Sequence, residues 1–125
     1  MEGVSIGEKD GSMRRLEKGV TVEILRQGDG KTFPKKGQTA VVDYIGRLTD
    51  NTEFDSSVKR GKPFKFLVDL GHVIVGWDIA IKTMSVGEKS MVTCPSDVAY
   101  GDLGHPGVIP PKATLIFEMN LVKIE

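Results

Sequence analysis

Several stretches of the chain alternate apolar and polar residues with a period of two, and one repeats at the period of a helix. Val20, Val22 and Ile24 alternate with Thr21 and Glu23, the pattern of a half-buried strand, with regular structure beginning near Gly19. The longest alternation, Thr39 to Leu48, sets Ala40, Val42, Tyr44, Gly46 and Leu48 against Thr39, Val41, Asp43, Ile45 and Arg47. The first set reads as the inner face, so the Tyr44 hydroxyl lies inside and needs a hydrogen-bond partner, while Asp43 on the other face is expected to be solvated. Lys89, Met91 and Thr93 alternate with Ser90, Val92 and Cys94, and Leu115, Phe117, Met119 and Leu121 share one face of the stretch from Ala113 to Ile124. Phe64 and Phe66 face one side of a shorter stretch. Pro63 before them lacks the donor of a central strand, which predicts a bulge or an edge there.

The helical period falls in Val73 to Met84. Trp77, Ala80, Ile81 and Met84 stand at i, i+3, i+4 and i+7 and share one face. One apolar stripe needs a partner, and the flanking segments read as strands, so the economical architecture is α+β: one short helix laid against an antiparallel sheet. Gly76 is expected to let something approach the Trp77 ring. Turns fall at Gly28-Asp29-Gly30, at Phe33 to Gly37, at Asp50-Asn51 and at Ser85 to Glu88. Residues 95 to 111 hold four of the six prolines. So long a connection in a compact domain is expected to bind or cover something, which makes Tyr100, His105 and Ile109 candidate rim residues of a pocket floored by Trp77.

Composition narrows the function classes. Lysine plus arginine number 17 and aspartate plus glutamate 17, so charge argues for neither a nucleic-acid nor a membrane partner. The single Cys94 cannot form an internal disulfide, and with two histidines there is no zinc-like cluster. Cys94 reads as a small buried hydrophobe and His72 as a surface residue. No apolar run approaches the ~20 residues of a membrane span, which fits a cytoplasmic protein. Residues 1–18, rich in glycine and cancelling charges, read as a flexible N-terminal extension, and residues 19–125 as one domain.

Seven motifs, in order, carry a resemblance: Phe54-Asp55-Ser56-Ser57, Gly61 to Phe66, Val73-Ile74-Val75-Gly76-Trp77, Met84 to Glu88, Ala99-Tyr100-Gly101, Gly104 to Gly107, and Ile109 to Glu118. From about Gly19 onward the chain resembles the FKBP-type peptidyl-prolyl isomerases, the immunophilins that bind tacrolimus and rapamycin. The resemblance implies about five antiparallel strands curled around the short helix, with an aromatic pocket between them. It implies catalytic roles for Tyr44, Phe54, Asp55, Trp77, Tyr100 and Phe117, and contacts to substrate or inhibitor from these and from Arg60, Phe64, Val73, Ile74, His105 and Ile109. The Trp77 indole would lie under the prolyl ring, the Tyr100 hydroxyl and the Ile74 amide would donate to ligand carbonyls, and Asp55 would join Tyr44 and Arg60 in a polar network. The implied partners are proline-containing peptides and proteins, macrolide immunosuppressants and, through the bound drug, a phosphatase or kinase, with the protein itself a monomer. Val75, Val108 and Lys59-Arg60-Gly61 depart from the family pattern at the rim, where they bear on ligand and partner preference.

The chemistry such a pocket would perform can be argued separately. Rotating an X-Pro amide breaks C–N resonance at a barrier of about 18–20 kcal/mol. No covalent bond is made or broken, so neither nucleophile, metal nor cofactor is called for. The planar amide is charge-separated and prefers water at its oxygen, whereas the twisted amide is less polar, so a dry aromatic pocket weakens the planar form more. Blander readings stand beside this one: Trp77, Tyr44 and Tyr100 as core residues, Asp55 as a turn cap and His105 as a structural loop residue. A binding module that holds a partner's proline-containing loop would use the same pocket without turnover.

Overall fold

The computed structural model describes residues 12–125. Nine elements carry the fold: β1 (Met13–Arg15), β2 (Thr21–Arg26), β3 (Thr39–Leu48), β4 (Glu53–Ser56), α1 (Ser57–Arg60), β5 (Phe64–Leu67), α2 (Val75–Ile81), β6 (Lys89–Cys94) and β7 (Leu115–Ile124). The seven strands form one antiparallel sheet in the order β1-β2-β6-β7-β3-β4, with β5 also paired to β3. The expected α+β architecture, an antiparallel sheet curled around one short helix, is the one observed.

The long β3 organises the sheet. One side pairs with β7 along its length. The other is shared, Ile45 to Arg47 pairing with β4 and Thr39 to Val42 with β5. Between β4 and β5 the chain leaves the sheet as α1. The Ser56 hydroxyl caps this single turn by accepting from the Lys59 N–H, and Gly61 in the left-handed region ends it. Pro63, with no N–H to offer, then delays re-entry until Phe64, which is the edge behaviour its position predicted.

A bulge in β7 sets which residues face inward near its end. Val42 pairs with Leu121 but Val41 with Lys123, so one extra residue, Val122, is accommodated. The result brings Ile124, rather than Lys123, against the core.

The expected helical stripe is the one buried: Trp77 is 5% exposed, and Ala80, Ile81 and Met84 are 0%. The helix itself is shorter than the pattern, with Lys82 as its C-cap, and Met84 lies in the turn beyond. No side chain among the described residues caps its start. Instead the buried Asp78 carboxylate turns back to accept the N–H groups of Asp69 and Gly71, at 2.8 and 3.2 Å, and so ties the β5–α2 turn to the helix. At Gly76 a methyl group would stand 2.5 Å from Cys94 Sγ and 3.2 Å from the Val98 carbonyl. What approaches closely is therefore β6 against the helix backbone, and not a group against the Trp77 ring.

Regular structure begins at Met13, earlier than the expected start near Gly19. Residues 13–15 add an edge strand to β2, Met13 opposite Glu23 and Arg15 opposite Thr21. Arg14 forks onto the fully buried Glu88 at 2.7 and 2.8 Å. The Glu88 carboxylate is completed by the Ser90 hydroxyl at 2.7 Å and the Ser85 N–H at 3.3 Å, as a buried charge requires. The extension expected over residues 1–18 is thus a docked strand and a turn from Met13 on. Its first eleven residues lie outside the described part of the chain.

Candidate active site

Between α2 and the β3–β5 side of the sheet the protein encloses a hollow of about 280 Å³, lined by Tyr44, Phe54, Asp55, Phe64, His72, Val73, Ile74, Trp77, Tyr100 and Phe117. Alternation in β3 turns Tyr44 inward, and Phe117 comes from the inward face of β7. Around Trp77 the rings stand edge to face: Tyr44 at 4.9 Å and 79°, Phe117 at 5.2 Å and 85°, Phe64 at 5.9 Å and 76°. Such contacts add to area burial and fix each ring's tilt. Gly46 makes room for the wall, since a Cβ there would lie 2.7 Å from the Phe54 ring and 3.1 Å from Phe117. The indole N–H is buried and has no hydrogen-bond partner among the described residues, an uncommon state for a buried donor.

The mouth is polar. Tyr44 donates its hydroxyl to Asp55 Oδ2 at 2.5 Å and accepts from Arg60 Nη2 at 3.1 Å. Asp55 Oδ1 accepts from Arg60 Nη1 at 2.5 Å and from the Ser56 N–H at 2.9 Å. The Arg60 guanidinium also lies 5.8 Å from the centre of the Tyr44 ring. Burial pushes the Asp55 carboxyl upward, but the hydrogen bonds from Tyr44 and Arg60 outweigh it and hold the group below the ordinary carboxylate value. The Tyr44 hydroxyl is raised, first by burial and then by its bond to Asp55. At neutral pH the network is therefore a neutral phenol, a carboxylate and a guanidinium.

Nine of the twelve residues proposed from the sequence line the hollow, and three do not. Arg60 reaches it only through Tyr44 and Asp55. His105 packs its ring 5.9 Å from that of Tyr100. Ile109, 4% exposed, is a core residue that closes the loop by exchanging backbone hydrogen bonds with His105 at 2.8 and 2.9 Å. Tyr100 is 43% exposed at the rim, so the core reading does not hold for it. Ile74 caps α2 with its carbonyl, which accepts from Trp77 and Asp78, and its own N–H makes no backbone hydrogen bond among the described residues.

Sequence reasoning passed over two residues. His72 is exposed, as expected, yet it is also part of the hollow's wall; its place directly before Val73-Ile74 was the available signal. Ser57, fully buried, accepts the Tyr44 N–H at 2.8 Å and donates to Asp43 at 3.2 Å. Asp43 is accordingly half-buried and engaged, not free in solvent, and it steadies the strand behind Tyr44. Cys94 behaves as expected of a buried hydrophobe, with burial pushing its thiol up to about 12.

Residues 30–122 match the family model of the FKBP-type peptidyl-prolyl cis-trans isomerases. The chain is 53% identical over 107 residues to the peptidyl-prolyl cis-trans isomerase FKBP1A of Xenopus laevis, covering 86% of this chain and 99% of that one. It is 51% identical over 107 residues to the isomerase Fkbp12 of Drosophila melanogaster, with 86% and 99% covered. To FK506-binding protein 1 of Eremothecium gossypii it is 51% identical over 109 residues, with 87% and 96% covered.

Proposed function

The chain belongs to the FKBP-type peptidyl-prolyl cis-trans isomerases, and from that premise we propose how its hollow turns over an X-Pro bond. The prolyl ring sits on the Trp77 indole, within the edges of Tyr44, Phe64 and Phe117. The adjoining carbonyls meet the Ile74 N–H and the Tyr100 hydroxyl at the rim. Holding the amide away from water costs its planar, charge-separated form more than its twisted form. Each withdrawn hydrogen bond is worth about 1–3 kcal/mol, and about 1.4 kcal/mol is a factor of ten in rate. Two such losses bring about one and a half to four powers of ten. The Tyr44–Asp55–Arg60 network contributes position: it fixes the Tyr44 ring and keeps a charge at the mouth, outside the dry interior.

The observation that carries this reading is the aromatic hollow of about 280 Å³ with Trp77 in its wall. The same hollow is proposed to take tacrolimus, the FK506 in the name of the Eremothecium relative, and rapamycin. The second reading is a binding module. It is favoured by Leu103, 83% exposed, and Val108, 47% exposed, on the loop that carries Tyr100. With a macrolide bound, these residues would extend its apolar face toward a partner such as a phosphatase or kinase. The isomerase unit is assigned to residues 19–125, with the strand Met13–Arg15 docked on its sheet edge, acting as a cytoplasmic monomer.

A protease-coupled assay on a prolyl peptide, run with and without tacrolimus, tests the proposal. Turnover that tacrolimus abolishes supports the enzyme. Tight calorimetric binding without turnover supports the module, and neither turnover nor binding overturns both.

A further inference from the structure

The chain at the end of β4 holds Tyr44 at both ends. At one end the phenol meets Asp55 and Arg60 at the mouth of the hollow. At the other the Tyr44 N–H donates to the Ser57 hydroxyl at 2.8 Å. One short run of chain, Asp55 to Arg60, therefore grips the backbone and the side chain of the same tyrosine.

The backbone grip exists because the ladder stops short. β3 and β4 pair as far as Ile45 and Ser56, and at Ser57 the chain leaves the sheet as α1. Tyr44, the next residue of β3, has no strand neighbour on that side, and the Ser57 side chain supplies the missing bond. A hydroxyl can donate or accept, and Asp43 decides how this one is turned. Its carboxylate accepts the Ser57 O–H at 3.2 Å, which leaves an oxygen lone pair for the Tyr44 N–H. Ser57 is 0% exposed, where an unpaired N–H would be costly.

Ser57 opens the single turn of α1 and Arg60 ends it. The Ser57–Tyr44 bond thus fixes how far Arg60 stands from β3, and with it the hold on the phenol. The Tyr44 ring stands edge to face with the Trp77 indole at 4.9 Å and 79°, as one wall of the seat proposed for the prolyl ring. A wall that tips outward admits water to the amide.

We propose that Ser57, oriented by Asp43, is a positioning residue for the isomerisation: it acts by holding the Tyr44 ring in the wall. The inference rests on the proposed seat of the prolyl ring, and the test separates the two. Prolyl-peptide kinetics are compared for the native protein, Ser57→Ala, Asp43→Ala, Asp43→Asn, and Ser57→Ala combined with Asp55→Asn. Ser57→Ala should lower kcat by about five-fold, the worth of one hydrogen bond, with KM within about two-fold because the planar substrate still docks on Trp77. Asp43→Ala should give a smaller loss, and Asp43→Asn, whose amide oxygen still accepts, should restore most of it. Asp43 is half-buried, so its variants carry the test if Ser57→Ala does not fold. With Asp55→Asn in place, Ser57→Ala should lower kcat by less than about 1.5-fold, because both act through one ring. The emission of Trp77, the single tryptophan, should shift in Ser57→Ala and Asp43→Ala but not in Asp43→Asn. A native kcat in Ser57→Ala or, if that variant does not fold, in Asp43→Ala, whatever the melting temperature, would overturn the positioning role, as would losses that multiply in the combined variant. A native protein without turnover on any prolyl peptide would instead overturn the seat of the prolyl ring, and the positioning role would fall with it.

Discussion

At the mouth of the hollow Asp55 meets Tyr44 and Arg60, and beneath the N-terminal strand Glu88 meets Arg14 and Ser90. Each set is a carboxylate, a guanidinium and a hydroxyl, yet their surroundings differ. The side chains of Asp55 and Arg60 are 40% and 50% exposed, whereas that of Glu88 is 1% exposed under an Arg14 that is 26% exposed. Water screens the first set, so its strength goes into orienting the Tyr44 ring. The second set is out of water on one side, so removing one member strands a charge. The contrast teaches that burial, more than the identity of the groups, decides whether an ion pair shapes a site or holds the fold.

The sharpest way to break that contrast is Arg14→Ala. With Glu88 left buried and unneutralised, urea unfolding should show a loss of about 3 kcal/mol, while kcat/KM stays within about two-fold, because the hollow is untouched. Adding Glu88→Gln should return part of the stability. A loss below about 1 kcal/mol would place the pair among ordinary surface bridges. Asp55→Asn should do the reverse, lowering kcat/KM by about ten-fold, the worth of one charged hydrogen bond, with little change in stability near pH 7. Tyr100→Phe should weaken tacrolimus by about five-fold through one rim hydrogen bond, with an unchanged melting temperature; calorimetry reads both.

The smallest effect is in the pH dependence. Because the Asp55 pKa is lowered in the folded protein, its contribution is present above the unfolded value of about 4 and is lost as pH falls through the folded value. The small stability difference between the native protein and Asp55→Asn should therefore be constant from pH 5 to 7 and close below about pH 4. Urea midpoints at pH 6 and pH 3 measure it, and a gap that widens in acid would reverse the sign assigned here.

Periodicity made the helix and the long strands legible, because Trp77, Ala80, Ile81 and Met84, or Ala40, Val42 and Tyr44, repeat over enough residues to mark a face. It could not mark β1. Met13–Arg15 has no apolar alternation, and its strand form comes from the open edge of β2 and from Glu88, far along the chain. The four residues of α1 are too few to carry a helical period, and their signal was local: Ser56 as cap and Gly61 as stop. At the site, the ordered motifs located the aromatic wall. They do not distinguish residues that line the hollow from those beside or behind it: Arg60 stands outside at the mouth, His105 packs on Tyr100 and Ile109 lies in the core, while the exposed His72 joins the wall. That distinction depends on which way a loop residue turns after the chain has closed.

The contact between Gly76 and Cys94 has a consequence for the hollow as a vessel. The helix rides at its present height because a residue without a side chain faces a short thiol. Lengthening either would push the helix off β6 and carry the indole with it, altering the shape of the cup without changing one of the side chains that line it.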